Sequence, residues 1–197
     1  MLIQSLGPQD VRRDDPFVHA LVDYFDRFGA ACNPHRHPVH GYLAGGLGVR
    51  CYAGTRVTGD IDMFFTGARV LIPPNTTVLV SHGGAEHSLV FDHQYTPDFG
   101  LLHPDYDQRA VGLVSSGRMH LLVLHPVDLA ITKIARFQDH DRADVAVLAA
   151  TRSFDGLALV RLAEEAMAYA IGNLAFVRAN LADALDIVSS AKAERAA

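Results

Sequence analysis

At Pro126 the hydrophobic pattern of this 197-residue chain changes period. From Pro73-Pro74 to that point, short β-type runs (TVLVS, SLVFDHQY, RAVGLV and RMHLLVL) are separated by His-Gly-Gly, Pro-Asp and Ser-Ser-Gly turns. Beyond it, apolar residues recur at helical spacing: Val127, Ile131, Ile134 and Ala135, then Val145 and Leu148, then Leu159, Leu162, Met167, Ile171 and Leu174. A last helix reads from Phe176 through Ile187. Ahead of the strands, Asp15-Pro16 supplies an N-cap and a first helical residue, and Phe17, Ala20, Leu21, Tyr24, Phe25 and Phe28 follow at helix spacing. Gly29 reads as the stop. Residues 30–40, with Asn33-Pro34 and His37-Pro38, read as a loop, followed by a short strand at GYLA and a brief helix from Gly45-Gly46 to Tyr52. One helix, mixed β with short helices, then helices alone: the order predicts an α+β fold, a mixed β-sheet flanked by helices with a C-terminal helical segment. Residues 1–125 form the expected core and residues 126–197 the helical segment packed on it, without a low-complexity linker to divide them.

Composition narrows what such a fold can do. Hydrophobic residues make up 49% and charged residues 20%, enough for a buried core. A net charge of −5 argues against broad charge-driven adhesion to DNA or anionic lipid, and leaves room for a local basic pocket. The uncharged stretch from Val70 through Gly84 carries two prolines and several polar residues, so it is no membrane span. The N-terminus meets charges before any apolar run develops, so no signal peptide is expected, and Cys32 and Cys51 are too few for a disulfide framework. The expectation is a cytoplasmic protein. Fifteen of the 17 basic residues are arginine, a bias that a GC-rich genome explains; it nonetheless singles out Lys133, one of two lysines.

The chemistry concentrates in GYLAGGLGVRCYAGTRVTGDIDMFF. Asp60 and Asp62, two residues apart on a strand, project from one face with α-carbons roughly 6.5–7 Å apart. Their carboxylates can converge on one hard divalent cation or flank a pair, whereas adjacent buried anions without a counter-charge would repel. Upstream, Gly45-Gly46 between a strand and a helix leaves backbone amides bare for an anionic phosphate, although such a pair more often only makes a turn. Arg56 precedes Asp60 closely enough to reach the rim of the same site.

The series Gly45-Gly46 then Arg56-Val57-Thr58-Gly59-Asp60-Ile61-Asp62 resembles the signature of the nucleotidyltransferase fold, the polymerase-beta-like superfamily. It is similar in particular to abortive-infection toxins and related bacterial proteins. HPVDLAITKIARFQDHDRADVAVLA adds a similarity to that group's helical motif, an acid-Leu-x-x-x-Lys helix followed by Arg and Asp-rich turns. The resemblance implies Asp60 and Asp62 as ligands of Mg²⁺ (or Mn²⁺), Gly45 and Gly46 against the phosphates of a nucleoside triphosphate, Arg56 and Thr58 beside them, and Lys133 as a point charge on the triphosphate. It also implies a third carboxylate on a neighbouring strand, able to ligate the metal and take the hydroxyl proton. Asp92, flanked by apolar β residues, is the best candidate; Glu86, Asp98 and Asp105 lie in turn-like sequence. The chain departs from many members in having Gly-Gly-Leu where they carry a hydroxyl residue after the glycines.

Arg136, Arg142, Asp141 and Asp144 read either as a solvated helical face or, for Asp144, as a partner orienting Lys133. His35, His37 and His40 form the tightest histidine cluster but lack a cysteine at ligand spacing, and read as surface; His93 beside Asp92 reads as a group behind the metal ligands. Three functions remain. The first is metal-dependent transfer of a nucleotidyl group to a hydroxyl on RNA (a tRNA end included), protein or a small molecule, with the toxin of a toxin–antitoxin pair, and hence an antitoxin partner, implied by resemblance alone. The second is a catalytically inactive binding module on the same fold. The third, compatible with either, is homodimerisation through the C-terminal helices.

Overall fold

A computed structural model describes residues 6–31, 37–54, 58–73, 75–97, 100–152 and 154–196. They group into two compact units, Gly7–Tyr95 with Ala110–Leu124, and Thr96–Arg109 with His125–Ala197. Arg56, His35, Asp98 and Cys32 lie outside the described residues.

The first unit opens on α1 (Pro16–Ala31). Asp15 Oδ1 accepts the Phe17 N–H at 3.0 Å, as an N-cap should, and also the Arg50 Nε–H at 2.8 Å. Both partners of that ion pair are buried, and the Arg50 guanidinium lies 4.0 Å from the Phe17 ring centroid. The helix does not stop at Gly29 but runs to Ala31. A Cβ on Gly29 would stand 2.7 Å from the Ser116 carbonyl oxygen, so that glycine serves close packing rather than termination.

Then follow β1 (Val39–Leu43), α2 (Gly45–Ala53), β2 (Asp60–Ile61), β3 (Met63–Thr66), β4 (Thr77–His82), β5 (Ala85–Phe91), β6 (Val111–Ser116) and β7 (Met119–Val123). One sheet has the order β3-β1-β7-β6, with β1 antiparallel to β3 and parallel to β7, and β6 antiparallel to β7. A second has the order β2-β5-β4, with β2 parallel to β5. Val39, Leu43, Leu121 and Val123 alternate into the core, where α1 brings Phe17, Leu21 and Phe25. The run DIDMFF, which reads as one strand, changes partners at Asp62: Asp60 and Ile61 pair with Val90 and Phe91, whereas Met63 pairs with Leu43. The backbone is held on both flanks there, since Ala44 N–H donates to the Asp62 carbonyl (2.8 Å) and Asp92 N–H to that of Ile61 (3.2 Å).

The second unit carries α3 (Pro126–Ile134), α4 (Asp139–Ala149), α5 (Gly156–Met167) and α6 (Ala175–Ala196). Each start has a local cause. His125 Nδ1 accepts from Val127 N–H, Asp141 Oδ2 from Gln138 N–H, Asp155 Oδ1 from Leu157 N–H and Asn173 Oδ1 from Ala175 N–H. Helical periodicity carried past Met167 to Leu174 proves misleading: α5 ends at Met167, Ile171 is fully exposed, and Gly172 at φ 117° turns the chain into the Asn173 cap. Conversely α6 continues beyond Ile187, with the Ser189 and Ser190 hydroxyls donating back to the carbonyls of Leu185 and Asp186. The core of this unit includes Leu129, Ile134, Val145, Leu148, Leu159 and Leu162, and Asn180 Nδ2 donates to the Ile134 carbonyl at 2.8 Å. Among the described residues no helix is long and apolar enough to cross a membrane.

Candidate active site

Where β1 ends, Ala44 is extended (φ −126°, ψ −153°) and its methyl side chain offers α2 no cap. The first turn of α2 therefore begins with amides that its own N-cap residue does not bind. Gly45 stands at φ 56°, in the left-handed region. A Cβ on it would overlap the Asp62 carboxylate. Only glycine meets both demands, and the close approach seats a carboxylate at the positive end of the helix. Gly46 is buried beside it.

Alternation along the motif places Ile61 fully in the core, leaves Asp60 exposed and Asp62 half-buried. Extending the β2–β5 register by one residue sets Asp62 opposite Asp92, just past the end of β5. Neighbouring strands lie about 4.8 Å apart, so these two aspartates are lateral neighbours. Asp92 Oδ1 accepts the Gln94 N–H at 2.8 Å, and its carbonyl accepts the Tyr95 N–H at 3.2 Å. This turn brings the Tyr95 phenol into the field of both aspartates. Burial, and then the negative charge of Asp62 and Asp92, push its pKa well above the ordinary tyrosine value. The phenol therefore stays protonated beside the two carboxylates at neutral pH. Tyr95 escaped the sequence reading; the signal was Asp92-His-Gln-Tyr95, one turn after a strand end. Thr58 Oγ1 accepts from Asp60 N–H at 3.4 Å, a long contact. Among the described residues no three His, Cys, Asp or Glu side chains lie close enough together to hold a metal ion. Asp62 and Asp92 are thus abreast, while Asp60, opposite Val90, does not close a cage with them.

In the helical unit, Lys133 is buried and its Nζ lies 2.9 Å from Asp144 Oδ2 and 3.5 Å from Asp141 Oδ1. Arg136 grips Asp141 with two hydrogen bonds of 2.9 and 3.0 Å. Burial would raise the Asp141 carboxyl, but the Arg136 hydrogen bonds, the Gln138 amide and the Lys133 charge outweigh it and hold it below the usual carboxylate range. Arg142, by contrast, reaches an exposed Asp183. Sequence reasoning also missed an ion pair on a buried carboxylate, the half-buried Arg109 bidentate to Asp128 at 2.9 and 2.7 Å. Burial pushes the Asp128 carboxyl up, against the pull of Arg109. Nearby in the chain, His103 Nδ1 accepts from Asp105 N–H, so its proton sits on Nε2 and points at Glu165. Elsewhere His40 stacks on His120 at 5.1 Å, and His82 and His87 pack around Phe17.

A family model described as nucleotidyltransferase of unknown function (DUF6036) matches residues 35–183. The chain belongs to this family. No curated protein and no solved structure shows significant similarity to it. The matched span includes both Gly45-Gly46 with Asp60 and Asp62, and the Lys133 helix with Asp141 and Asp144. As a nucleotidyltransferase family member the chain calls for a nucleoside triphosphate as donor, and the start of α2 lies against the Asp62 carboxylate.

Proposed function

We propose that the protein transfers a nucleotidyl group from a nucleoside triphosphate to a hydroxyl acceptor, using Mg²⁺ or Mn²⁺ at Asp60, Asp62 and Asp92. The observation that carries this reading is the Asp62 carboxylate seated against Gly45, with Asp92 abreast of it on the adjacent parallel strand. The donor set fits the metal. All the groups are hard oxygens, and magnesium sites are typically built from one or two carboxylates completed by substrate phosphates and water, so a closed protein cage is not required. When bound, the cation offsets charge on the attacked phosphate and the departing pyrophosphate and lowers the pKa of the attacking hydroxyl.

The rest falls to the chain itself. Amides of Gly45 and Gly46 bind phosphate oxygens at the positive end of α2. Asp92 receives the proton of the acceptor hydroxyl. Arg56 and Thr58 add contacts to the triphosphate. Within the helical unit Asp144 and Asp141 fix the Lys133 ammonium, and its role toward a triphosphate is what the family resemblance implies. The acceptor is RNA, protein or a small molecule, and the biology favoured is the toxin of a bacterial toxin–antitoxin pair in the cytoplasm.

A second reading, an inactive nucleotide-binding module, draws on the lack of a three-ligand metal cluster among the described residues and on the Gln94 amide already bound to Asp92. Isothermal titration with ATP or CTP and Mg²⁺, followed by radiolabel transfer to RNA and protein pools, separates the two. Asp60→Asn is expected to abolish magnesium-dependent triphosphate binding with little change in stability, because Asp60 is exposed. A variant that binds and transfers like the native protein would sink the assignment.

A further inference from the structure

Ala44 and Asp92 bind the β2–β3 backbone on opposite flanks, so Asp62 is bordered by the start of α2 on one side and by Asp92 on the other. In-line transfer keeps the attacking and leaving oxygens on opposite sides of the phosphorus. Phosphates held by Gly45 and Gly46 therefore send pyrophosphate away on the α2 flank, and the acceptor hydroxyl must arrive on the Asp92 flank.

That flank holds a cavity of about 290 Å³, bordered by Asp92 and not by Gly45 or Asp62. Its walls include Phe64, Phe91 and Tyr95, with Ala68 and Arg69 from the segment that follows β3. Ligand pockets usually run from about 300 to 1,000 Å³, so this one holds a single ring system rather than an extended substrate. Phe64 is braced from behind by Tyr42, stacked at 5.3 Å and 20°, and faces Tyr95 at 6.4 Å and 30°. Aromatic walls held in place suit a flat ring, and Arg69, exposed at the rim, suits an anion attached to it.

We infer that this cavity receives the acceptor, and that the acceptor is a nucleoside: its base stacks against Phe64 and Tyr95, a ribose hydroxyl lies at Asp92, and a 5′-phosphate meets Arg69. This rests on the transferase reading above. The step balances simply. The ribose oxygen bonds to the α-phosphorus of the triphosphate, the bond from that phosphorus to the bridging oxygen breaks, pyrophosphate departs, and Asp92 takes the hydroxyl proton. A free nucleotide and the terminal nucleoside of a strand share this chemistry.

The test uses the full chain and two independent readouts. Saturation-transfer NMR follows the ring protons of AMP and CMP and of a five-residue oligoribonucleotide, while isothermal titration follows a non-hydrolysable ATP analogue with Mg²⁺. The native protein is expected to saturate the base protons. Ala68→Trp, which fills the cavity, should weaken that binding by about tenfold or more. Arg69→Glu, a change at an exposed position, should weaken AMP more than adenosine. Both variants should keep the affinity for the ATP analogue within about twofold, because its phosphates lie on the other flank. Equal binding of AMP and oligoribonucleotide identifies a free nucleotide as the acceptor; binding of the oligoribonucleotide alone identifies a strand end. Base protons that stay unsaturated, a seryl peptide that binds in their place, or an Ala68→Trp protein that loses the ATP analogue would each overturn the inference. A native protein that binds AMP at this cavity but never binds the ATP analogue would refute the transferase reading and leave the cavity assignment standing.

Discussion

Replacing Gly45 by alanine imposes two separable costs. The residue sits at φ 56°, where an L side chain costs about 1–2 kcal/mol. The new methyl also collides with the Asp62 carboxylate, which must leave the start of α2. Losing a partly buried carboxylate from a helix N-terminus costs up to about 2 kcal/mol, so the total is about 1–4 kcal/mol. Gly84→Ala is the matched control: φ is 76°, and no atom lies within 4 Å of the added Cβ, so only the backbone cost remains. Urea unfolding followed by far-ultraviolet circular dichroism reads the difference between the variants, and titration with an ATP analogue and Mg²⁺ reads the site. Gly45→Ala should unfold at clearly lower urea than Gly84→Ala and should bind the triphosphate poorly, while Gly84→Ala binds normally. Equal destabilisation of the two, with binding intact in both, would refute the claim that Gly45 is glycine because Asp62 lies upon it.

Lys133→Met leaves Asp141 and Asp144 buried with less counter-charge and should cost about 3–5 kcal/mol in denaturant unfolding, restored in part by Asp144→Asn in the same chain. Because the Asp141 carboxyl is held below its ordinary value, its contribution to stability is complete above about pH 4 and disappears as pH falls through the lower folded value. Asp141→Asn should therefore flatten the acid limb of a stability–pH profile while lowering the plateau. Leu121→Ala, at a fully buried position on β7, should cost about 2–5 kcal/mol, measured by the shift in urea midpoint at constant slope.

Much of the architecture could be read before any coordinates, and for identifiable reasons. Asp15-Pro16 announces α1 because a cap and a proline act locally, and the strands of the β6–β7 hairpin are bounded by a Ser-Ser-Gly turn that needs no tertiary help. The misreadings arise where distant residues decide. Gly29 resembles a stop, yet it answers to Ser116, and Ile171 continues a period that Gly172 and Asn173 then interrupt. The division of DIDMFF between two sheets depends on Leu43 and Val90, which no local pattern links. The same holds for the site. Two aspartates on one face follow from the period of a strand, whereas the pairing of Asp92 with Asp62 follows from strand register, and Tyr95 enters through a turn. Arg109 and Asp128 lie too far apart in the chain for spacing to suggest their pairing.

The parallel partnership of Val39–Leu43 with Met119–Val123 also bears on how this protein is made. A ribosome releases the N-terminal member long before its mate, so for the span of some eighty residues one edge of the future central strand has only its antiparallel neighbour. Pairings so remote in sequence form late and leave hydrophobic edges exposed in the meantime. Nascent chains halted before Val123 should be the ones that chaperones hold and proteases cut, whereas a few dozen residues more would let the sheet close.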